Sequence, residues 1–248
     1  MMQLQRETVG FGRVLPLKAV GFVMAVLALC TGAHAGVIVT AENQDNTAWP
    51  HADPVINTAG SDLPSAFGST VAVGGTTGNT ASQTILVAQT FQLARIDLTY
   101  RTTASSGTVG IRIQEASPAL NGGATAYEYS SGPDLFAAPL SFTYGVQTAA
   151  STTKVMTLDF TGSDQITLVA GKTYAIEFVN VTGSSTGFAL TRRGASTYPD
   201  GMVFSNRVSV NGTGTRDAAM QIFAVPEPAS LVLAFAGSAL ICARRRRG

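Results

Sequence analysis

From Val71 onward, apolar and polar residues alternate with a period of two through most of the chain. Ile96, Leu98 and Tyr100 alternate with Arg95, Asp97, Thr99 and Arg101. Val109, Ile111 and Ile113 alternate around Gly110, Arg112 and Gln114. Each stretch therefore has one apolar and one polar face, the pattern of a strand packed on one side. The same reading predicts strands at 37–40, 83–91, 126–130, 140–144, 154–160, 173–181, 187–192 and 219–225. Turn clusters separate them: Ser105-Ser106-Gly107, Asn121-Gly122-Gly123, Val169-Ala170-Gly171-Lys172 and Asn211-Gly212-Thr213-Gly214. Nine or ten short strands with no helical stripe before Ala229 predict an all-β domain, a two-sheet β-sandwich of jelly-roll type. Asp97, Glu115, Asp159 and Glu177 fall on polar strand faces and are expected to face solvent. No fixed-period repeat is visible, which argues against a solenoid or propeller.

Helix is expected only at the two ends. Residues 1–35 have the three parts of an export signal: Arg6, Arg13 and Lys18, an apolar run from Ala19 to Leu29, and Ala33-His34-Ala35 as the cleavage site for signal peptidase. Gly36 is then the mature amino terminus. A lipoprotein alternative at Leu27-Ala28-Leu29-Cys30 is disfavoured by the bulk of Leu29 before the cysteine. At the other end stand Pro226, Glu227 and Pro228, fifteen uncharged residues from Ala229 to Ala243, and Arg244, Arg245, Arg246 and Arg247. Two prolines one apart cannot continue a ladder or a helix interior, so the folded domain stops before Pro226. Pro228 suits a helix's first turn. Fifteen helical residues rise about 22 Å against a hydrocarbon core of roughly 30 Å, which predicts a short transmembrane anchor. The arginines hold its end in the cytoplasm. The chain divides into a signal peptide (1–35), a sandwich ectodomain (36–225) and a sorting and anchor segment (226–248).

The proline-glutamate-proline triplet, short apolar run and arginine block resemble the PEP-CTERM sorting signal of Gram-negative and related bacteria. The resemblance implies processing by exosortase, a membrane protease-transpeptidase, from a precursor held transiently in the inner membrane, with delivery to the cell surface or beyond. Three phrases between 82 and 225 also resemble the secreted modules called choice-of-anchor domains. They are Gln89-Thr90-Phe91, Ile166-Thr167-Leu168 with Ala170-Gly171-Lys172-Thr173-Tyr174, and Tyr198-Pro199-Asp200-Gly201. That family assigns no catalytic residues.

Composition narrows the chemistry. Cys30 and Cys242 both fall outside 36–225, so the mature domain has no disulfide, thiol nucleophile or thiolate metal site. His51 is its lone histidine, too few for a multi-histidine zinc site. Between 36 and 225 there are thirteen acidic and nine basic residues, a net charge of −4 without a basic stripe. Nucleic acid is an unsuitable partner for such a surface.

A hydrolytic triad needs His51 as its base, and no Gly-x-Ser-x-Gly turn is present. His51 reads as a loop residue. Trp49 reads as a core or edge plug, with a sugar-stacking platform as the alternative. Calcium is the one candidate cofactor, with Asp45, Asp53 and Asp200 as oxygen donors and no spacing that matches a dedicated loop. Tyr127 and Tyr129 share one strand face, and with Arg192 and Arg193 they are candidates for a glycan groove; Tyr144 and Tyr198 are further aromatics for it. The reading is an exported, non-catalytic surface or matrix protein with exopolysaccharide as its partner, no catalytic residues and no required metal. A glycan-active hydrolase using two carboxylates, or a purely structural surface module, are the alternatives.

Overall fold

Strand β5 (Phe91–Thr102) carries the clearest alternation in the chain and lies at the centre of the first of two antiparallel sheets. The computed structural model describes residues 36–44, 49–60, 69–102, 106–120, 127–145, 153–182, 187–193, 198–210 and 216–226. Ala33, Ala35, Asp45, Glu227, Pro228, Arg244 to Arg247 and both expected terminal helices lie outside them. The first sheet runs β1 (Gly36–Gln44), β9 (Lys154–Thr161), β5, β12 (Phe188–Arg192), β3 (Ser69–Ala72). β10 (Thr167–Leu168) and β15 (Met220–Ala224) also pair with β5, and β2 (Ile56–Asn57) with β15. The second runs β11 (Thr173–Asn180), β4 (Thr80–Leu86), β13 (Val203–Ser205), β14 (Val208–Ser209), β7 (Tyr127–Asp134), β6 (Gly107–Leu120), β8 (Leu140–Tyr144).

The apolar faces meet as the alternation predicts. Ile96, Leu98 and Tyr100 from β5 and Leu158 from β9 join Ile111, Ile113, Ile176 and Phe178 from the second sheet in one buried core. Phe188 stands at its middle, its ring centroid 5.4 to 5.8 Å from those of Tyr100, Tyr144, Phe178 and Phe142. The stretch predicted as one strand at 83–91 is divided: β4 ends at Leu86 in the second sheet and β5 starts at Phe91 in the first. Residues 87–90 carry the chain from one layer to the other, and a run of apolar residues does not reveal where a strand changes sheets.

Each sheet also has a covered outer face. On the first, Trp49 is buried with Ala59, Val155 and Ala219, and backbone bonds from Val55 to Ile222 and from Thr58 to Met220 fasten the 49–60 segment along β15. The second sheet curls until β14 meets β7 at Val208 and Glu128, while β11 pairs with both β4 and β6. Inside that curl, Ala116, Tyr129, Ala175 and Phe204 form a second small core. Glu115, expected in solvent, is exposed and pairs with Lys172 at 2.7 Å. Asp97 and Glu177, expected in solvent, are fully buried. Alternation told correctly that they point away from the main core; it could not tell that another layer lies over them.

Candidate functional site

The β15–β5 ladder runs up to the first proline of the carboxyl-terminal triplet. β15 pairs with β5 as far as Ala224, and Val225 N–H donates the last bond of that edge to Gln92 O at 2.8 Å. Pro226 has no N–H to continue the ladder, and it is exposed. It borders a cleft of about 600 Å³ lined by Asp53, Val55, Phe91, Phe223 and Val225 among others. The Arg95 guanidinium lies 3.8 Å above the Phe223 ring and steadies that wall.

A carboxylate cannot stay ionised in a dry interior without partners, and the two buried on strands, Asp97 and Glu177, are both tied to cations. Asp97 Oδ2 receives Nδ1 of His51 at 2.6 Å and Nη2 of Arg95 at 3.2 Å. The His51 backbone is held in turn by Gln221, whose side chain accepts from its N–H at 2.8 Å and donates to its carbonyl at 3.1 Å. A carboxylate fixing an imidazole nitrogen is the base-and-orienter half of a hydrolytic triad. Among the described residues no hydroxyl hydrogen-bonds the other ring nitrogen, and Arg95 occupies the same carboxylate oxygen. The arrangement as it stands pins the 49–60 segment to its sheet.

Glu177, on the outer face of β11, gathers a larger set. Oε1 accepts from Tyr129 Oη at 2.6 Å and Arg207 Nε at 3.0 Å, and Oε2 faces Arg112 Nη2 at 3.1 Å. Tyr129 Oη also contacts Ser82 Oγ at 2.8 Å, and Arg207 Nη2 donates to Gln114 Oε1 at 3.3 Å. Burial, with the charge of Glu177 next, pushes the Tyr129 hydroxyl far above its ordinary range, so it stays a donor. Arg207 reaches Glu177 from a tight hairpin: Ser205 pairs with Val208, and the two residues between, Asn206 and Arg207, have φ of 49° and 67°. That is the positive-φ pair of a type I′ turn, whose second position ordinarily holds glycine. A left-handed arginine costs about 1–2 kcal/mol, offset here by its charge-assisted bonds to Glu177. Tyr129→Phe is expected to cost about 2 kcal/mol, since it removes a hydrogen bond to a charged buried oxygen. Chemical denaturation measures it, and a neutral substitution would mean that the two arginines alone satisfy Glu177.

In front of these arginines lies a cleft of about 190 Å³ lined by Gly78, Asn79, Thr80, Arg112, Asn206 and Arg207. Asn206 shapes its rim by accepting from Thr80 N–H at 2.8 Å while its own N–H donates to Thr80 O at 2.9 Å. Sequence reading missed this group. An Asn-Gly pair between Ser205 and Val208 signals a hairpin; Asn-Arg hides it.

The residues singled out from sequence do not converge. Tyr129 is buried edge-on against Phe204, centroids 4.7 Å apart, and offers no ring face to a sugar. Tyr127 packs partly buried beside that cluster, its N–H donating to Ser209 Oγ. Tyr144 is in the main core, and the half-buried Tyr198 hydroxyl bridges the N–H and carbonyl of Leu86. Arg192 ends β12, with Arg193 directly after it, in the other sheet from the tyrosines of β7. Burial, and then the charge of Arg216, lowers the pKa of Arg192. The predicted groove of Tyr127, Tyr129, Arg192 and Arg193 is thus not assembled, because alternation places residues on a face without saying which sheet carries that face. Asp53 borders the cleft beside Pro226, and Asp200 sits in the turn beside Tyr198. Among the described residues no three His, Cys, Asp or Glu side chains are grouped so as to hold a metal ion. Trp49 is a core plug, as one of its two readings had it.

A family model for the PEP-CTERM protein-sorting motif matches residues 224–247, beginning at the last residue of β15. Comparison with curated proteins finds no match.

Proposed function

We propose that this chain, which carries a PEP-CTERM sorting motif at its carboxyl end, delivers a non-catalytic β-sandwich to the cell surface, where it associates with exopolysaccharide. The motif implies export, a membrane-anchored precursor and processing by exosortase. The single observation that carries the reading is the junction: the signal begins at Ala224, the ladder closes at Val225, and the first proline is exposed one residue later. A membrane enzyme can thus engage the triplet without unfolding the cargo. Against a hydrolase, the two carboxylates buried on strands, Asp97 and Glu177, lie on the outer faces of different sheets, each committed to arginine. A glycosidase needs two carboxyl groups within about 5–10 Å across one cleft.

The precursor expressed in a host with exosortase is expected to lose its arginine-rich tail, read as an intact-mass decrease. Replacing Pro226 and Pro228 together by alanine should leave uncleaved precursor in the membrane fraction at tenfold or greater excess. Retention of the tail by the wild-type chain in that host overturns the sorting reading. Failure of the released protein to be retained on any acidic or neutral polysaccharide overturns the exopolysaccharide reading alone.

A further inference from the structure

We infer that the cleft between the start of β4, β6 and the β13–β14 turn binds the carboxylate-bearing sugar units of an acidic polysaccharide. The inference rests on the exopolysaccharide reading for its ligand's source and names the site and the chemistry. Its volume, about 190 Å³, is below the roughly 300–1,000 Å³ of pockets that enclose drug-sized ligands, and suits one small unit. The ionisable groups lining it are both cationic, Arg112 and Arg207, their side chains 33% and 40% exposed. The carboxylate that orients them, Glu177, is sealed behind the wall with no exposure of its own. Two guanidinium groups on one buried carboxylate leave a positive charge facing outward in a domain whose net charge is negative. Asp134 also lies in the field of Arg112, but its Oδ1 accepts from the N–H groups of Ile113 and Phe136, and it lines no part of the cleft.

Two polar atoms in this wall are unused. Thr80 is 3% exposed and its Oγ1 has no hydrogen-bond partner among the described residues; the same holds for the buried Nε of Arg112. Buried hydroxyls are nearly always paired, so an unpaired one in a residue that lines a concave site can take an oxygen or N–H from outside once a ligand displaces the atoms that cover it. The chain also keeps a left-handed arginine at position 207, where glycine would be unstrained, and that holds the guanidinium at the cleft. A guanidinium fork matches a carboxylate with two parallel bonds, and Thr80 with the amide of Asn79 can meet ring hydroxyls. A neutral sugar offers nothing to the arginines.

The test uses the secreted, tail-processed protein. In an NMR titration, galacturonate is expected to shift the amides of Asn79, Thr80, Arg112, Asn206 and Arg207, and glucose at the same concentration to leave them unmoved. Retention on polygalacturonate should weaken as salt is raised. Thr80→Val removes a hydroxyl that nothing in the protein uses, so it should fold with an unchanged melting temperature yet bind galacturonate about tenfold more weakly. Arg207→Gly relieves the turn and should abolish the shifts. No galacturonate shifts at these amides, or wild-type affinity in both folded variants, overturns the inference. Polygalacturonate held equally by wild type and both variants also overturns the site, while leaving the exopolysaccharide reading standing; no retention of any polysaccharide removes that reading. Inorganic sulfate or phosphate competing as strongly as galacturonate makes this a bare anion site and overturns the sugar assignment.

Discussion

Replacing Phe188 with alanine should lower stability by about 4 kcal/mol, the range for an aromatic side chain deleted from a packed core. The position is unusual for what it joins. Phe188 is fully buried on β12 of the first sheet, stacked on Tyr100 of the same sheet at 5.5 Å. Across the layer it meets Phe142 at 5.8 Å, Tyr144 at 5.4 Å and Phe178 at 5.7 Å, all from the second sheet. A cavity there cannot collapse by moving one side chain, because its walls belong to two hydrogen-bonded layers. Rings at these separations also gain about 0.5–1.5 kcal/mol per pair beyond burial. Phe188→Leu, which refills most of the volume without the ring, should recover about half the loss. Denaturant midpoints of the two variants decide the matter, provided the slope stays constant. A cost below about 1.5 kcal/mol for the alanine variant would show that the sheets close over the gap.

How much of the molecule is legible in its sequence follows from what period two encodes. It assigns each strand residue to one of two sides, and it places the core side of β5 and β6 correctly at Ile96, Leu98, Ile111 and Ile113. It carries no information about what lies beyond the polar side. The covering pieces are the irregular 49–60 segment and strands of two or three residues such as β13 and β14, too short to show any period. Alternation therefore puts Asp97 and Glu177 in water and leaves Arg112 and Arg207 among the surface charges. The meeting of those two arginines on Glu177 depends on a curl of the sheet that joins three positions far apart in the chain. The carboxyl-terminal signal is readable because its chemistry is local: prolines, apolar length and arginines act on residues adjacent in sequence.

Gly201→Ala is expected to cost about 3 kcal/mol or more, and Gly171→Ala only about 1 kcal/mol, although Gly171 is the one of the two with a left-handed φ. Gly171 has φ of 78° in the turn closed by Lys172 N–H and Val169 O, with open space where a Cβ would stand. Its alanine variant incurs the left-handed penalty and nothing else, and Gly171→Asn should recover most of it, since asparagine tolerates that region. Gly201 is a matter of room. A Cβ there would lie 1.9 Å from Thr84 O and 2.9 Å from Thr84 C, both backbone atoms of β4. The loop cannot retreat: Met202 exchanges bonds with Thr84 on one side, and Tyr198 is held by Leu86 and by Asp217 Oδ2 on the other. Because the obstacle is a carbonyl of the main chain, no side-chain substitution at Thr84 should rescue the variant. Thermal melts of Gly201→Ala, Gly171→Ala and Gly171→Asn test the ranking. Equal losses for the two alanine variants would mean that β4 yields to the added methyl, and that the close approach at Gly201 is not what fixes the turn to the second sheet.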